Sequence, residues 1–415
     1  MRKSLRLLAA IAAVCILTAL TQAQLQPNKA ASYKEKVLHA FTGGSDGRQA
    51  GPLMRDAKGN LYGVAAFGGN TSGDCGQQFG SEGCGVVFEQ TATGKFKVLH
   101  TFDFTDGAVP LTNLIQDASG NLYGTTLWGG NSTCELHGCG VLFKLTPSRK
   151  FSVLYRFTGG SDGANPGSGV IIDGKGNLYG ATELTSSSFG EVFELTTSGQ
   201  LEVLYSFKGN TDGEGPNGVI QDSKGNLYGS TFGGGAFGYG TMFKLDTSGT
   251  ETVLHSFKGK SDGGEPYSRL IMDSAGNLYG TTQLFGDHKG NCDLPDSPPG
   301  CGTAFKIDTA GVFSVLVKFD SADGKEPYNS PLTLDTHGNF FGTTLEGGDG
   351  CGGGGCGVAY KLSAAGKESV LYNFNGGSGG DGPSAGVVED SKGNLYGTTW
   401  AGGDHDCGVI FELTP

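Results

Sequence analysis

Asn226-Leu227-Tyr228-Gly229 is one of seven copies of a phrase that also begins at Asn60, Asn121, Asn177, Asn277 and Asn394 and, as Asn-Phe-Phe-Gly, at Asn339. The copies lie roughly 50 to 60 residues apart, a period that announces a repeat architecture before it announces any chemistry. Three further phrases recur with it. Val37-Leu38-His39-Ala40-Phe41 is echoed at Val98 to Phe102, Val153 to Phe157, Val203 to Phe207, Val253 to Phe257, Val315 to Phe319 and Val370 to Phe374. An aliphatic run closes on aspartate, as in Gly218-Val219-Ile220-Gln221-Asp222, and a Gly-x-x-Phe-x-Leu phrase follows the Asn-Leu-Tyr-Gly copy, as in Gly140 to Leu145.

Each phrase is four to seven residues of Val, Leu, Ile, Phe, Tyr and Thr bounded by Gly, Asp, Asn or Ser, which is how short strands joined by turns read. No run shows helical periodicity. Four strands per unit, repeated seven times, predict an all-β, seven-bladed β-propeller of four-stranded blades. The phrase order adds a prediction about closure. If the Asp-ending run is innermost, the chain enters on a lone outer strand, Val37 to Phe41, and ends on a third strand, Gly408 to Leu413. The N-terminal strand then completes the last blade and closes the ring, removing an exposed edge. The apolar phrases recur in register among the 76 glycines, which marks turn and loop glycines of an ordered fold rather than low complexity.

The set of motifs in Gly120 to Thr126, Gly129-Gly130, Gly140 to Thr146, Val153 to Phe157 and Asp162-Gly163 resembles the GloVer (Gloeo/Verruco) tandem repeat of bacterial extracellular repeat proteins. The resemblance runs over essentially the whole mature chain. It implies an exported bacterial protein with no established biochemical activity, in a family whose members often look built for surface attachment. This chain departs from that pattern by stopping at Glu412-Leu413-Thr414-Pro415 inside the last repeat, which argues against a covalent or lipid anchor.

Residues 1–23 read as an export signal: Arg2, Lys3 and Arg6 precede the apolar run Leu7 to Leu20, with a small residue, Ala23, at the cleavage point. Residues 24–35 are a linker and 36–415 the propeller. A lipoprotein site at Cys15 is disfavoured by Val14. Removing three cations makes the mature chain more acidic than the formal −12 of the whole, which excludes nucleic acid and anionic lipid as partners. No second segment is apolar for long enough to span a bilayer. The expected location is secreted, cell-surface or periplasmic.

Two aspartates recur in every unit. Those ending the inner run (Asp56, Asp117, Asp173, Asp222, Asp273, Asp335, Asp390) read as Asx turns that cap a hairpin. Those in the crossovers (Asp46, Asp106, Asp162, Asp212, Asp262, Asp323, Asp381) read as turn formers, with calcium the one cofactor their oxygens would suit. Four cysteine pairs, Cys75/Cys84, Cys134/Cys139, Cys292/Cys301 and Cys351/Cys356, read as disulfides stapling single loops, and Cys407 as a free, partly buried thiol or an intermolecular link. His39, His100 and His255 stand where other copies carry tyrosine and read as packing residues. No Gly-x-Ser-x-Gly, His-Glu-x-x-His or phosphate-binding loop occurs, so no catalytic residues are assigned.

Function therefore points to the variable loops after the Asn-Leu-Tyr-Gly strand, on the same rim as the crossovers. At their start stand Phe67, Trp128, Phe232, Phe285 and Trp400, which read either as a stacking surface for sugars or a protein partner, or as plugs between blades. The expectation is a non-catalytic binding module for a polysaccharide or protein. A purely structural or adhesive envelope protein is the alternative, and a propeller lyase or hydrolase assembled from several blades the third.

Overall fold

The computed structural model describes residues 33–130, 134, 137–183, 188–286, 292, 300–352 and 354–415. The signal segment, Cys15 and the linker up to residue 32 lie outside them. The strands from Lys34 onward form seven antiparallel sheets, one per repeat, in the arrangement of a β-propeller. Blade four shows the plan: Glu214–Gln221 pairs with Leu227–Gly233, which pairs with Thr241–Leu245, which pairs with Glu251–Ser256. Lys34–Ala40 pairs antiparallel with Val409–Thr414, Lys34 opposite Thr414 and Ala40 opposite Val409, so the first strand closes the ring.

The Asn-Leu-Tyr-Gly phrase is explained residue by residue. In blade five the Asp273 carboxylate accepts from Ala275 N (2.9 Å), Asn277 N (2.9 Å), Asn277 Nδ2 (2.7 Å) and the Tyr279 hydroxyl (3.0 Å). The inner-turn aspartate is thus the acceptor of the hairpin, as the Asx reading predicts. The leucine is buried in all six Asn-Leu-Tyr-Gly copies, Leu227 at 3% exposed. The glycine is required by its neighbour: a Cβ at Gly180 would lie 2.7 Å from the ring tip of Phe193, and the same collision recurs at Gly124 with Phe143 and Gly280 with Phe305.

Burial would raise the Asp273 carboxyl, but hydrogen bonds from Asn277, Tyr279 and Ala275 outweigh it and hold it below the usual range. Asp117, Asp173, Asp222, Asp335 and Asp390 are lowered in the same way. A lowered carboxyl stabilises the fold above its unfolded value near 3.9 and loses that contribution as pH falls through the folded value. Melting temperature should therefore drop steeply below about pH 4. Asp273→Ala should cost about 1–3 kcal/mol at pH 7 by leaving buried donors unmet, and flatten part of the acid limb. Thermal melts at pH 3 to 7 measure both, and an unchanged acid limb would contradict the assignment.

Buried apolar residues fall into seven clusters, one at each interface between neighbouring blades. At each, the outer-strand phenylalanine of one blade meets the third-strand aromatic of the next, from Phe41 on Phe88 to Phe374 on Phe411, with centroids 5.0–5.5 Å apart. The stabilising unit is therefore the interface between repeats. Further out, His39, His100 and His255 stack at 3.7 Å on Phe96, Phe151 and Phe313 of the next blade, confirming them as packing residues.

The sheets alone do not account for the loop of blade one. It folds into a short helix, Gly73–Phe79, and a 3-10 turn, Gly80–Glu82. Seven residues are too few to leave a periodic signature, and the Cys75–Cys84 disulfide ties this helix to the loop end.

Candidate functional site

Antiparallel blades place the first and third turns of every blade on one face and the second loops and interblade crossovers on the other. The two functional elements on that second face meet directly: Ala108 bridges to Trp128, Gly264 to Leu284, Lys325 to Glu346 and Asp381 to Ala401. All four disulfides form as paired above, within single second loops. Cys407 is a free, half-buried thiol whose Sγ donates to His405 O at 3.3 Å. Burial, opposed by Arg48, raises its pKa, so it is held as the unreactive thiol.

The five aromatics of the rim occupy different environments. Trp400 is exposed, at 38%. Phe67 lies half-buried under the Arg48 guanidinium (5.8 Å), and Trp128 stacks on Phe79 at 5.6 Å with His137 at 4.8 Å. Phe232 stacks on Tyr267 at 5.4 Å. Phe285 is 5% exposed and set edge-on against Tyr239, the environment of a plug. Two more aromatics on this face are open, Phe189 at 42% and Phe237 at 53%. Phe189 had a legible signal: it precedes the glycine that opens the third strand, where Cys84, Cys139, Cys301, Cys356 and Cys407 stand in other copies. There it covers the crossover glycine Gly209, as Cys134 Sγ covers Gly159.

Five crossover aspartates already have partners on their own blade. Asp46, Asp106 and Asp262 meet His39 (3.1 Å), His100 (2.8 Å) and His255 (3.2 Å), while Asp162 and Asp212 accept from Tyr155 (3.0 Å) and Tyr205 (2.9 Å). Burial pushes Asp323 and Asp381 up, helped by Asp320 and by Asp406 with Glu346 respectively. Asp381 lies beside the Cys351–Cys356 sulfurs, which the disulfide takes out of metal chemistry. The seven carboxylates sit one per crossover and are not gathered into one site.

The centre of the ring holds a cavity of about 480 Å³ that the sequence did not disclose. Its wall is built from two sets of equivalent positions. Residues following the crossover prolines, Leu111, Gly167, Asn217, Tyr267 and Tyr328, surround the mouth on the crossover face. The residues four before the inner aspartate contribute Pro52, Asn113, Arg269 and Pro331 to the wall, the equivalent positions in the other three blades being Gly169, Gly218 and Gly386. Arg269 is the sole charged member of that set. It donates through Nη1 to Asn113 Oδ1 (3.0 Å) and through Nη2 to Val170 O (3.4 Å) and Val219 O (3.5 Å), reaching blades two, three and four from blade five. A Cβ at Gly169 would lie 3.1 Å from Asn113 Oδ1, so glycine there preserves this crossing.

Glu183 stands at the mouth, its carboxyl against Gly167, where a Cβ would collide with it. Burial alone raises it to about 7. Burial likewise lifts Tyr267 to about 12, assisted by Tyr328, Glu265 and Glu183, and pulls Arg269 down to about 10, leaving it a cation at neutral pH. Glu183 forms no ion pair with Arg269 within 4 Å. Tyr267 and Tyr328 lie 5.1 Å apart and continue the stack begun by Phe232. The repeat makes the inner strand look uniform in sequence, which hides these positions. The signal available was Ser268-Arg269-Leu270, a cation inside an otherwise uncharged inner run.

The model of the Gloeobacter/Verrucomicrobia repeat matches residues 28–187, 74–292, 183–354 and 294–415. No curated protein matches the chain. Among solved structures, virginiamycin B lyase from Staphylococcus aureus superposes with a TM-score of 0.57 at 12% identity, over 92% of this chain and all of that one. The extracellular domain of a one-component system from B. thetaiotaomicron gives 0.51 at 9% identity, over 92% of this chain and 40% of that one. At such identities the likeness concerns the fold.

Proposed function

The chain belongs to the Gloeobacter/Verrucomicrobia repeat family, and from that premise we propose that it is an exported, non-catalytic binding module that holds a polysaccharide on its crossover face. The observation that carries this reading is the distribution of exposed aromatics. Phe189, Phe237 and Trp400, the large exposed aromatics among the described residues, all lie in second loops, whereas the opposite face offers Val312. Open aromatic faces on a rigid scaffold suit sugar rings, whose axial C–H groups pack on them. Phe232 adds a further ring at the central mouth, while Phe67 and Trp128 shape the surface beside it. Four loop disulfides suit an oxidising compartment outside the cytosol. No helix among the described residues is long and apolar enough to cross a membrane.

A binding screen against immobilised glycans and envelope fractions tests the reading. Trp400→Ala with Phe237→Ala should weaken capture at least about tenfold while melting temperature holds, since both side chains are exposed. Unchanged capture by the double variant would refute the rim as the site, and capture of an envelope protein in place of glycan would reassign the partner.

A further inference from the structure

We propose that the mouth of the central cavity is a binding site for a carboxylate-bearing sugar, with Arg269 as its anchor. This deepens the carbohydrate reading above and rests on it, but it concerns a different part of the molecule.

Arg269 lies half-buried in the cavity wall, and its three hydrogen bonds all go to neutral acceptors. A guanidinium carries five donors, and its Nε and second Nη1 protons find no acceptor among the described residues. A half-buried cation without a counter-ion carries a desolvation cost, and a structural strut across the channel would be met more cheaply by an uncharged side chain. The other six equivalents are three glycines, two prolines and an asparagine, so a charge at this level is not demanded by the fold. An entering carboxylate would accept from an unpaired guanidinium proton, Nε–H or the second Nη1–H, and supply the charge-assisted partner that the wall does not provide.

The rest of the mouth matches the rest of a sugar. Tyr267 and Tyr328 offer hydroxyls and stacked faces on one side, and Asn217 an amide on the other, its Nδ2 held by Pro266 O. About 480 Å³ admits a single sugar unit with its water. The chain as a whole is acidic, so attraction of an anion here is a property of this site and not of a basic surface.

Calorimetric titration of the full-length mature protein with sodium glucuronate, glucose, acetate and sulfate decides the matter. Glucuronate should bind saturably, with glucose at least tenfold weaker. Arg269→Met should lose glucuronate at least tenfold and Arg269→Lys retain part of it. If Arg269→Met fails to fold, Tyr328→Ala takes its place, and a loss of at least threefold for glucuronate is expected. No saturable glucuronate binding by the wild type, or equal binding by the folded variants, overturns the proposal. Acetate or sulfate bound as tightly as glucuronate overturns the assignment to a sugar. A protein that captures polysaccharide on its rim yet ignores glucuronate refutes this site alone, whereas glucuronate binding without polymer capture refutes only the rim reading.

Discussion

Phe41→Ala should destabilise the protein by about 3–5 kcal/mol, and a chain lacking Lys34–Phe41 should be recovered as aggregate and not as a monomeric ring. Phe41 is 0% exposed, although it stands only a few residues from the start of the described chain. Its ring packs edge-on against Phe88 (5.4 Å) and Phe96 (5.7 Å) of blade one, while the strand before it completes blade seven. One short segment therefore holds the first and last repeats together. Loss of the strand uncovers Val409–Thr414, whose Val409, Phe411 and Leu413 are fully buried in the closed ring. Urea unfolding with size-exclusion chromatography measures both effects. A truncated chain that elutes as a monomer with an unshifted transition would show that the ring closes by other contacts.

Glu368→Leu should stabilise the protein at neutral pH, by on the order of 3 kcal/mol at pH 7, and by little below pH 4.5. In sheet register Glu368 faces Leu362, the place that Phe96, Phe151 and Phe313 take opposite Gln90, Leu145 and Ile307. Those three phenylalanines stack on a histidine of the preceding blade. At the same level Glu35 accepts from the Tyr372 hydroxyl at 2.8 Å. Glu368 has Val317 in the corresponding position, and its Oε1 is buried without a partner. Burial, with Asp323 and Asp320 adding repulsion, pushes its carboxyl up to about 9. A carboxyl raised on folding contributes stability that is fully present below its unfolded value near 4.3 and is lost as pH rises through the folded value. The wild type should accordingly weaken from about pH 4.5 toward pH 9, and Glu368→Leu should remove that slope. Urea midpoints at pH 4.5, 7 and 9 test it; parallel curves for wild type and variant would count against a buried, proton-holding Glu368.

The two slopes act in opposite directions. The inner-turn aspartates withdraw stability in acid and Glu368 withdraws it toward alkali, so the optimum should fall on the acid side of neutrality. Glu251, in the same register and raised to about 7 by burial with help from Asp212, reinforces the alkaline limb.

Much of this fold was legible because its determinants are local and repeated. The Asp to Asn spacing closes a turn through hydrogen bonds two and four residues apart, and the glycine of Asn-Leu-Tyr-Gly answers a phenylalanine on the adjacent strand. Seven copies of such short-range rules predict blades, their number and the closing strand. The cysteine pairs were legible for the same reason, each lying inside one loop.

The site was legible only in outline. Sequence order places the variable loops and crossovers on one face, but exposure depends on what packs over each ring. Trp400 remains open, while Phe285 is covered and Trp128 meets a helix from the neighbouring blade that leaves no periodic trace. The channel lay further out of reach. Asn113, Glu183, Arg269 and Tyr328 come from four blades and are spread over more than half the chain, and no repeat rule relates them because they are where the copies differ. What the sequence by itself determined was the blade, since its contacts lie between residues a few positions or one hairpin apart. Which differing residues face one another across the axis was decided only when closure of the ring brought the inner strands together.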